Sequence, residues 1–394
     1  MAAPAPAADA PVFHYINQQG GGLKVAQPVP GEHAINQLFR TVMLHKGSDL
    51  HLKAGLPGMM RLRGVIQKMN TPVLTQETLE KLIFPILRDK DKKVLEDTGG
   101  ADFAHVIGQD EARYRVNLMK QRGRFALVAR LVNQTIPTFE KLGLPASIET
   151  LCHYEQGMVL LAGVTGSGKS TTIASMLDYM NQTEPLHILT IEDPIEFVFT
   201  DKMSVVNQRE VYLDVSDWHT ALKHAVREDP DVILVGEMRD ADTFEAAVHA
   251  AETGHVVFGT IHASHAYTTI DRILGLFPPS QHGAVRQSLV FNLRAVVAQK
   301  LVPSIKPGVH RCPTNEIMIV NPTIRDLILK AKDERLLDAI RAFYNEGMMD
   351  FNENLRVLCE RGDIDRQTAL EFSPNPEQLR MALKGIKVAA SGLV

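Results

Sequence analysis

Apolar positions along this chain follow two different rhythms. Between Glu32 and about Ile136 one amphipathic segment, with Ile35, Leu38, Phe39 and Val42 on a single face, gives way to short alternating runs. That change predicts a small α+β domain. Within it, Arg113 to Leu118 alternates polar and apolar, and Phe125 to Arg130 follows a turn around Gly123, so the spacing predicts a hairpin. Successive side chains on a strand point to opposite faces. Arg115 therefore lies opposite Tyr114, Val116 and Leu118, and Arg130 lies opposite Phe125 and Leu127, which turns both arginines away from the domain's own core.

From Gly157 to Lys300 buried strand runs alternate with amphipathic helices, the rhythm of an α/β fold with a parallel sheet. The strands are expected at Met158 to Ala162, His187 to Ile191, Val232 to Val235 and His255 to Phe258. Helices are marked by apolar positions at i, i+3, i+4 and i+7: Ile173, Met176, Leu177 and Met180; Trp218, Ala221, Leu222 and Ala225; Phe244, Ala247, Val248 and Ala251 before a stop at Gly254. Beyond Pro322 the pattern is helical, with breaks at Gly347 and Gly362 and an Asn375-Pro376 cap. The expected organisation is a flexible leader over 1–31, an N-terminal α+β domain over 32–136, a linker over 137–151, a core over 152–305 and a helical region over 306–394. The leader is expected from its Ala, Pro and Gly content, which offers little apolar surface to offset ordering entropy.

Composition narrows the function. The chain has 394 residues, 45% hydrophobic and 22% charged, as a water-soluble globular protein does. A formal net charge of −4 and only 6% aromatic residues argue against a nucleic-acid channel built on basic residues and stacking rings. Cys152, Cys312 and Cys359 are too far apart to signal a zinc site or a disulfide framework, and they suit a reducing cytosol. No run approaches the roughly 20 apolar residues of a membrane span, and no basic-then-apolar signal opens the chain, so a cytoplasmic protein is expected.

The strongest chemical signal is Gly163-Val-Thr-Gly-Ser-Gly-Lys-Ser170, directly after one strand run and directly before one amphipathic helix. Its glycines let backbone N–H groups and a helix N-terminus face phosphate oxygens, Lys169 reaches β- and γ-phosphates, and the Ser170 hydroxyl suits Mg²⁺. Gly163, Thr165, Gly166, Ser167, Gly168, Lys169, Ser170 and Thr171 are the expected nucleotide-binding set. Hydrolysis also needs carboxylates at neighbouring strand ends. Two segments supply them: Asp231 to Glu237, where Gly236 occupies the usual strand-end acid position and Glu237 follows, and Ile191-Glu-Asp-Pro-Ile-Glu196. His255 and His262 bracket a strand run, which places His262 near the catalytic strand ends. A zinc pair of His262 and His265 would lack a suitably spaced third ligand.

Taken together and in this order, the phosphate loop, the acidic box at Ile191 to Glu196, the strand-plus-acid with Met238-Arg239-Asp240, and Thr253-Gly254-His255 through His262 resemble the Walker A, Asp-box, Walker B and His-box motifs of the type II/type IV secretion ATPases. Ser48 to Leu52 resembles that family's N-terminal domain and Pro322 to Leu329 its C-terminal helical segment. The resemblance is nearest to the type IV pilus retraction ATPases of twitching motility. It implies a RecA-like P-loop core, a smaller PAS-like α+β N-terminal domain and C-terminal helices. It further implies ATP hydrolysis with Mg²⁺, in which Ser170, Glu196 and Glu237 position the metal, partly through water, and Glu196 and Glu237 polarise the attacking water. His255 and His262 would couple the nucleotide to movement, and Arg115 and Arg130, 15 residues apart as in the family, would reach the phosphates. The implied assembly is a homohexamer at the inner-membrane face of a pilus base, acting on a membrane platform protein, with a paralogous retraction ATPase as a further implied partner and no nucleic acid. Thr323 to Lys330 departs from the family's retraction segment, so pilus assembly or secretion stands as the alternative cargo. A nucleic-acid translocase and a non-hydrolysing nucleotide-gated scaffold are the remoter ones.

Overall fold

The computed structural model describes residues 22–108, 111–132 and 135–386. Most of the expected leader, residues 1–21, lies outside the described residues. The chain divides into two units, Met1–Gln134 and Thr135–Val394.

The first unit contains α1 (Asn36–Leu44), β1 (Asp49–Lys53), β2 (Met59–Leu62), β3 (Val65–Lys68), α2 (Gln76–Ile83), α3 (Asp89–Thr98), β4 (Gly100–Ile107), β5 (Ala112–Gln121) and β6 (Arg124–Leu131). The strands form one antiparallel sheet in the order β3-β2-β1-β6-β5-β4. The expected hairpin is β5–β6, turned by Arg122 at φ 49° and Gly123 at φ 71°, the left-handed pair that matches strand twist. Leu50, Leu52, Tyr114, Val116, Leu118, Leu127 and Ala129 bury one face in a core shared with Leu38, Phe39 and Val42 of α1. The Tyr114 hydroxyl donates to the Phe39 carbonyl at 2.9 Å. The leader reading needs correction at its end. Val25 is buried, the Leu23 amide donates to Lys68 O at 2.9 Å, and the Ala26 amide donates to Thr41 Oγ1 at 2.9 Å. Leu23 and Val25, with these backbone hydrogen bonds, dock residues 23–26 on this unit.

The second unit contains α4 (Phe139–Leu142), α5 (Ser147–Thr150), β7 (Gly157–Ala162), α6 (Lys169–Thr183), β8 (His187–Glu192), β9 (Val205–Glu210), α7 (Trp218–Ala225), β10 (Val232–Val235), α8 (Ala241–Glu252), β11 (Val256–Ile261), α9 (Thr269–Leu274), α10 (His282–Asn292), β12 (Leu293–Pro303), β13 (Arg311–Ile319), α11 (Pro322–Leu329), α12 (Leu336–Ala342), α13 (Phe351–Glu360), α14 (Arg366–Phe372) and α15 (Pro376–Ala382). Seven strands lie in the order β13-β12-β7-β11-β10-β8-β9, all parallel except β13. Every residue of β7 is buried because both sheet faces are covered. Met158, Leu160 and Ala162 share a core with Leu222 of α7 and Phe244 and Ala247 of α8. Val159 and Leu161 face the other way, onto Ile173, Met176 and Leu177 of α6. Side-chain caps start the helices where expected: Asp240 Oδ1 accepts from the Thr243 amide before α8, and Asn375 Oδ1 accepts from Gln378 with Pro376 in the first turn of α15.

Three boundaries move. Residues 137–151 are not a bare linker, since they form α4 and α5 and bury Leu144, Ile148 and Leu151 in the second unit's core. The core does not end at 305, because β13 pairs with β12 across nine residues from Pro303↔Arg311 to Ala295↔Ile319. The unit boundary itself falls after Gln134.

Candidate active site

Parallel strands deliver all their C-terminal ends to one sheet edge. Ala162 is registered with Ile261, and Val235 with both Gly259 and Ile191. The segments that leave these strands, carrying Gly163, His262, Glu237 and Glu192, therefore follow one another along that edge. Ligands of open α/β sheets bind there.

The phosphate loop is shaped by backbone geometry open to glycine. Gly163, Gly166 and Gly168 have φ of 152°, 79° and 88°. A Cβ at Gly163 would lie 2.5 Å from Ser167 Oγ and 2.6 Å from Gln299 O, so the loop packs against β12 with no space for a side chain. Val164, Thr165 and Gly166 are exposed at the tip, and α6 opens with Lys169, exposed Ser170 and half-buried Thr171. Lys169 Nζ donates to Gly163 O at 2.7 Å and Val164 O at 3.2 Å. Burial lowers its pKa, and the Glu237 carboxylate opposes that shift. Ser167 differs from expectation in one respect: its side chain is buried, and its amide closes the turn onto Val164 O at 3.2 Å.

Glu237 leaves the end of β10 pinned from two sides. Its Oε2 accepts from Arg239 Nη2 at 2.6 Å, and its Oε1 lies 3.0 Å from His262 Nε2. The Arg239 hydrogen bond holds this carboxyl below the ordinary value, against the opposing effect of burial. At Gly236 a Cβ would stand 3.1 Å from Ile191 O and 3.2 Å from Glu192 Cα, so the strand-end position has little room for an acid and the next residue carries it.

The acidic box splits its labour. Glu196 is exposed. Glu192 is buried and accepts from Thr190 Oγ1 at 2.7 Å, from the Glu196 amide at 3.3 Å and from Gln208 Nε2 at 3.3 Å. It thereby holds the backbone that presents Glu196. Burial raises the Glu192 pKa from 4.5 to about 7. A carboxyl that binds its proton more tightly when folded stabilises the protein fully below its unfolded value, and that contribution is lost as pH rises through the folded value. The nucleotide-free Glu192→Gln variant is expected to match wild type in melting temperature near pH 4.5 and to exceed it at pH 8, as thermal melts across that range would read.

His262 and His265 part company. His262 meets Glu237, whereas His265 Nδ1 lies 3.4 Å from buried Glu316, so the two imidazoles serve different carboxylates. Among the described residues no group of three His, Cys, Asp or Glu is placed to hold a metal. Mg²⁺ nevertheless fits the donor set present, one hydroxyl and nearby carboxylates, because it keeps several waters and takes substrate phosphate oxygens as ligands. His255 precedes β11, its Nδ1 lies 2.8 Å from Ala250 O, and the six-residue strand separates it from the phosphate edge by roughly 20 Å. It does not act at its own chain's phosphate loop, because the two ends of one strand reach opposite sheet edges.

In the N-terminal unit Arg115 and Arg130 are exposed and directly opposed across β5–β6. Like charges in that position repel. Asp49 relieves part of this, with Oδ1 accepting from Arg130 Nε at 2.8 Å, and Arg61 extends the row on β2 through its register with Asp49. Among the described residues no helix is long and apolar enough to cross a membrane.

Comparison with known proteins agrees with this chemistry. The profile of the type II/IV secretion system protein family matches residues 25–353. The type IV pilus retraction ATPase PilT of Pseudomonas aeruginosa is 44% identical over 87% of this chain and 99% of its own length. The type IV pilus ATPase PilU of the same organism is 34% identical over 88% and 91%. A crystal structure of the pilus retraction motor PilT with bound ADP superimposes with a TM-score of 0.79 at 42% identity, covering 87% of this chain and 98% of that one.

Proposed function

This chain belongs to the type II/IV secretion system protein family, with a RecA-like P-loop core and ATP hydrolysis as its reaction, and we propose that it is a motor that retracts type IV pili. The observation that carries the proposal is the 44% identity to a retraction ATPase along nearly the full length of both chains, with the phosphate loop and Glu237 brought to one sheet edge.

The γ-phosphate of ATP lies against the loop N–H groups and Lys169, which stabilise charge on its oxygens. Ser170 Oγ would hold Mg²⁺, with Glu196 and Glu237 reaching it partly through water. Held there, the ion would supply neutralisation of the phosphate charge. Glu237, aimed by Arg239 and His262, orients and polarises the attacking water, and Glu196 assists. His262, touching Glu237, carries the nucleotide state to the loop that follows it, and His255 serves movement between sheet and subunits from the far edge. Arg115 and Arg130, an exposed pair of like charges, close on the γ-phosphate and relax after hydrolysis. That difference in binding is the work a ring can transmit. The working assembly is a homohexamer, cytoplasmic and peripheral at the inner-membrane face, pushing on a membrane platform protein beside a paralogous retraction ATPase.

Arg115→Ala leaves the Arg130–Asp49 pair in place, so the fold is expected to persist while ATP turnover falls about a hundredfold or more, as phosphate release would read. An unchanged rate removes the arginine from the mechanism. For the motor's direction, deletion of the gene is expected to give hyperpiliated cells that do not twitch. Bald cells would reject retraction in favour of assembly.

A further inference from the structure

A loop can aim its N–H groups at an anion only if its carbonyls are turned elsewhere and satisfied there. The carbonyl of Ser167 points inward and accepts from Gln299 Nε2 at 2.8 Å. Oε1 of the same carboxamide accepts from Thr172 Oγ1 at 2.8 Å, on the first turn of α6, and from Asn315 Nδ2 at 3.0 Å, on β13. The Asn315 amide in turn donates to Asn354 Oδ1 of α13 at 2.8 Å. Gln299, Thr172, Asn315 and Asn354 are all buried.

The orientation of the carboxamide follows from its partners. A carbonyl only accepts, so the atom facing Ser167 must be Nε2, and this leaves Oε1 for the two donors. Gln299 comes one residue after Ala298, which is registered with Ala162, so it stands beside Gly163 where the loop leaves β7. A Cβ at Gly168 would lie 2.8 Å from Gln299 Nε2, so loop and carboxamide fill a common volume.

We propose that Gln299 is a positioning residue for the nucleotide loop: its carboxamide holds the Ser167 carbonyl inward and the first turn of α6 against the sheet, and Asn315 fixes the direction in which it points. The outward N–H groups are thus set for a diphosphate before it arrives, and the cost of ordering the loop is met on folding rather than on binding. The same bonds tie the loop to α13 through Asn354. This rests on the phosphate-loop reading and goes beyond it, because no atom of Gln299 need touch nucleotide.

Full-length Gln299→Met and Asn315→Ala are to be titrated with ADP and assayed for ATP turnover, with Lys169→Ala alongside. Each is expected to weaken ADP binding about tenfold and to raise KM for ATP by a similar factor, with kcat within about twofold, as loss of a buried hydrogen bond that acts on binding would do. Asn315→Ala decides the matter if Gln299→Met does not fold, since Asn315 touches no loop atom. Folded variants that bind ADP and ATP as wild type does, whatever their melting temperatures, overturn the proposal. If Lys169→Ala also binds ADP normally, the phosphate-loop reading falls with it. If Lys169→Ala alone loses binding, only the positioning role falls.

Discussion

Glu237→Gln is expected to bind ADP within about threefold of wild type and to hydrolyse ATP about 10²–10⁴-fold more slowly, the range over which a positioned proton acceptor contributes. The substitution is nearly isosteric and keeps an oxygen for Arg239 or His262, which lie 2.6 and 3.0 Å from the two carboxylate oxygens. What it removes is the negative charge that orients water. Phosphate release in single-turnover and steady-state experiments, together with an ADP titration, separates the two effects, and normal turnover would dismiss this acid from its role. Because the Arg239 hydrogen bond holds the Glu237 pKa below 4.5 despite burial, the carboxylate stays ionised at neutral and mildly acidic pH. Loss of wild-type turnover through this group is therefore expected only below the ordinary carboxylate range.

Lys169→Ala is expected to weaken ADP and ATP binding by about a hundredfold or more and to abolish turnover, since one desolvated ammonium faces the two phosphates that carry most of the charge. The free protein should lose little stability. Lys169 Nζ donates to the carbonyls of buried Gly163 and exposed Val164 in its own loop, and its charged form is already disfavoured by burial. The measurement is a melting curve with and without ADP. A ligand at 100 times its dissociation constant stabilises the native state by about 2.7 kcal/mol, and that increment should vanish in the variant. A full ADP-induced rise in Lys169→Ala would mean that nucleotide binds elsewhere.

Much of this site is readable in the chain because its parts are contiguous. The loop from Gly163 to Ser170 carries its glycines, its cation and its hydroxyl within eight positions, and the four strand runs around it are predominantly apolar. Strand parity was sufficient to turn Arg115 and Arg130 outward. β9, β12 and β13 escape the same reading. β9 is an edge strand whose last four residues, Asn207 to Glu210, are all polar, while Gln299, Lys300, Asn315 and Glu316 interrupt the apolar pattern of the two others. Of these four, Gln299, Asn315 and Glu316 are buried because they find hydrogen-bond partners, and a polar residue inside a buried strand was the available signal.

The phosphate-binding chemistry, the α/β rhythm and the outward arginines are written in the chain, since each follows from residues near one another in it. Tertiary structure decided that Glu192 is buried behind Glu196, that His255 stands at the end of β11 away from the phosphate loop, that Gly236 has little room for an acid, and that Gln299 reaches back to Ser167. Those outcomes depend on register between strands, from Glu192 with Glu210 on β8 and β9 to Ala298 with Ala162 on β12 and β7, and on which donors that register brings to each buried carboxylate or amide. No local periodicity encodes such a pairing, because its energy comes from satisfying buried polar groups that meet only when the sheet is closed.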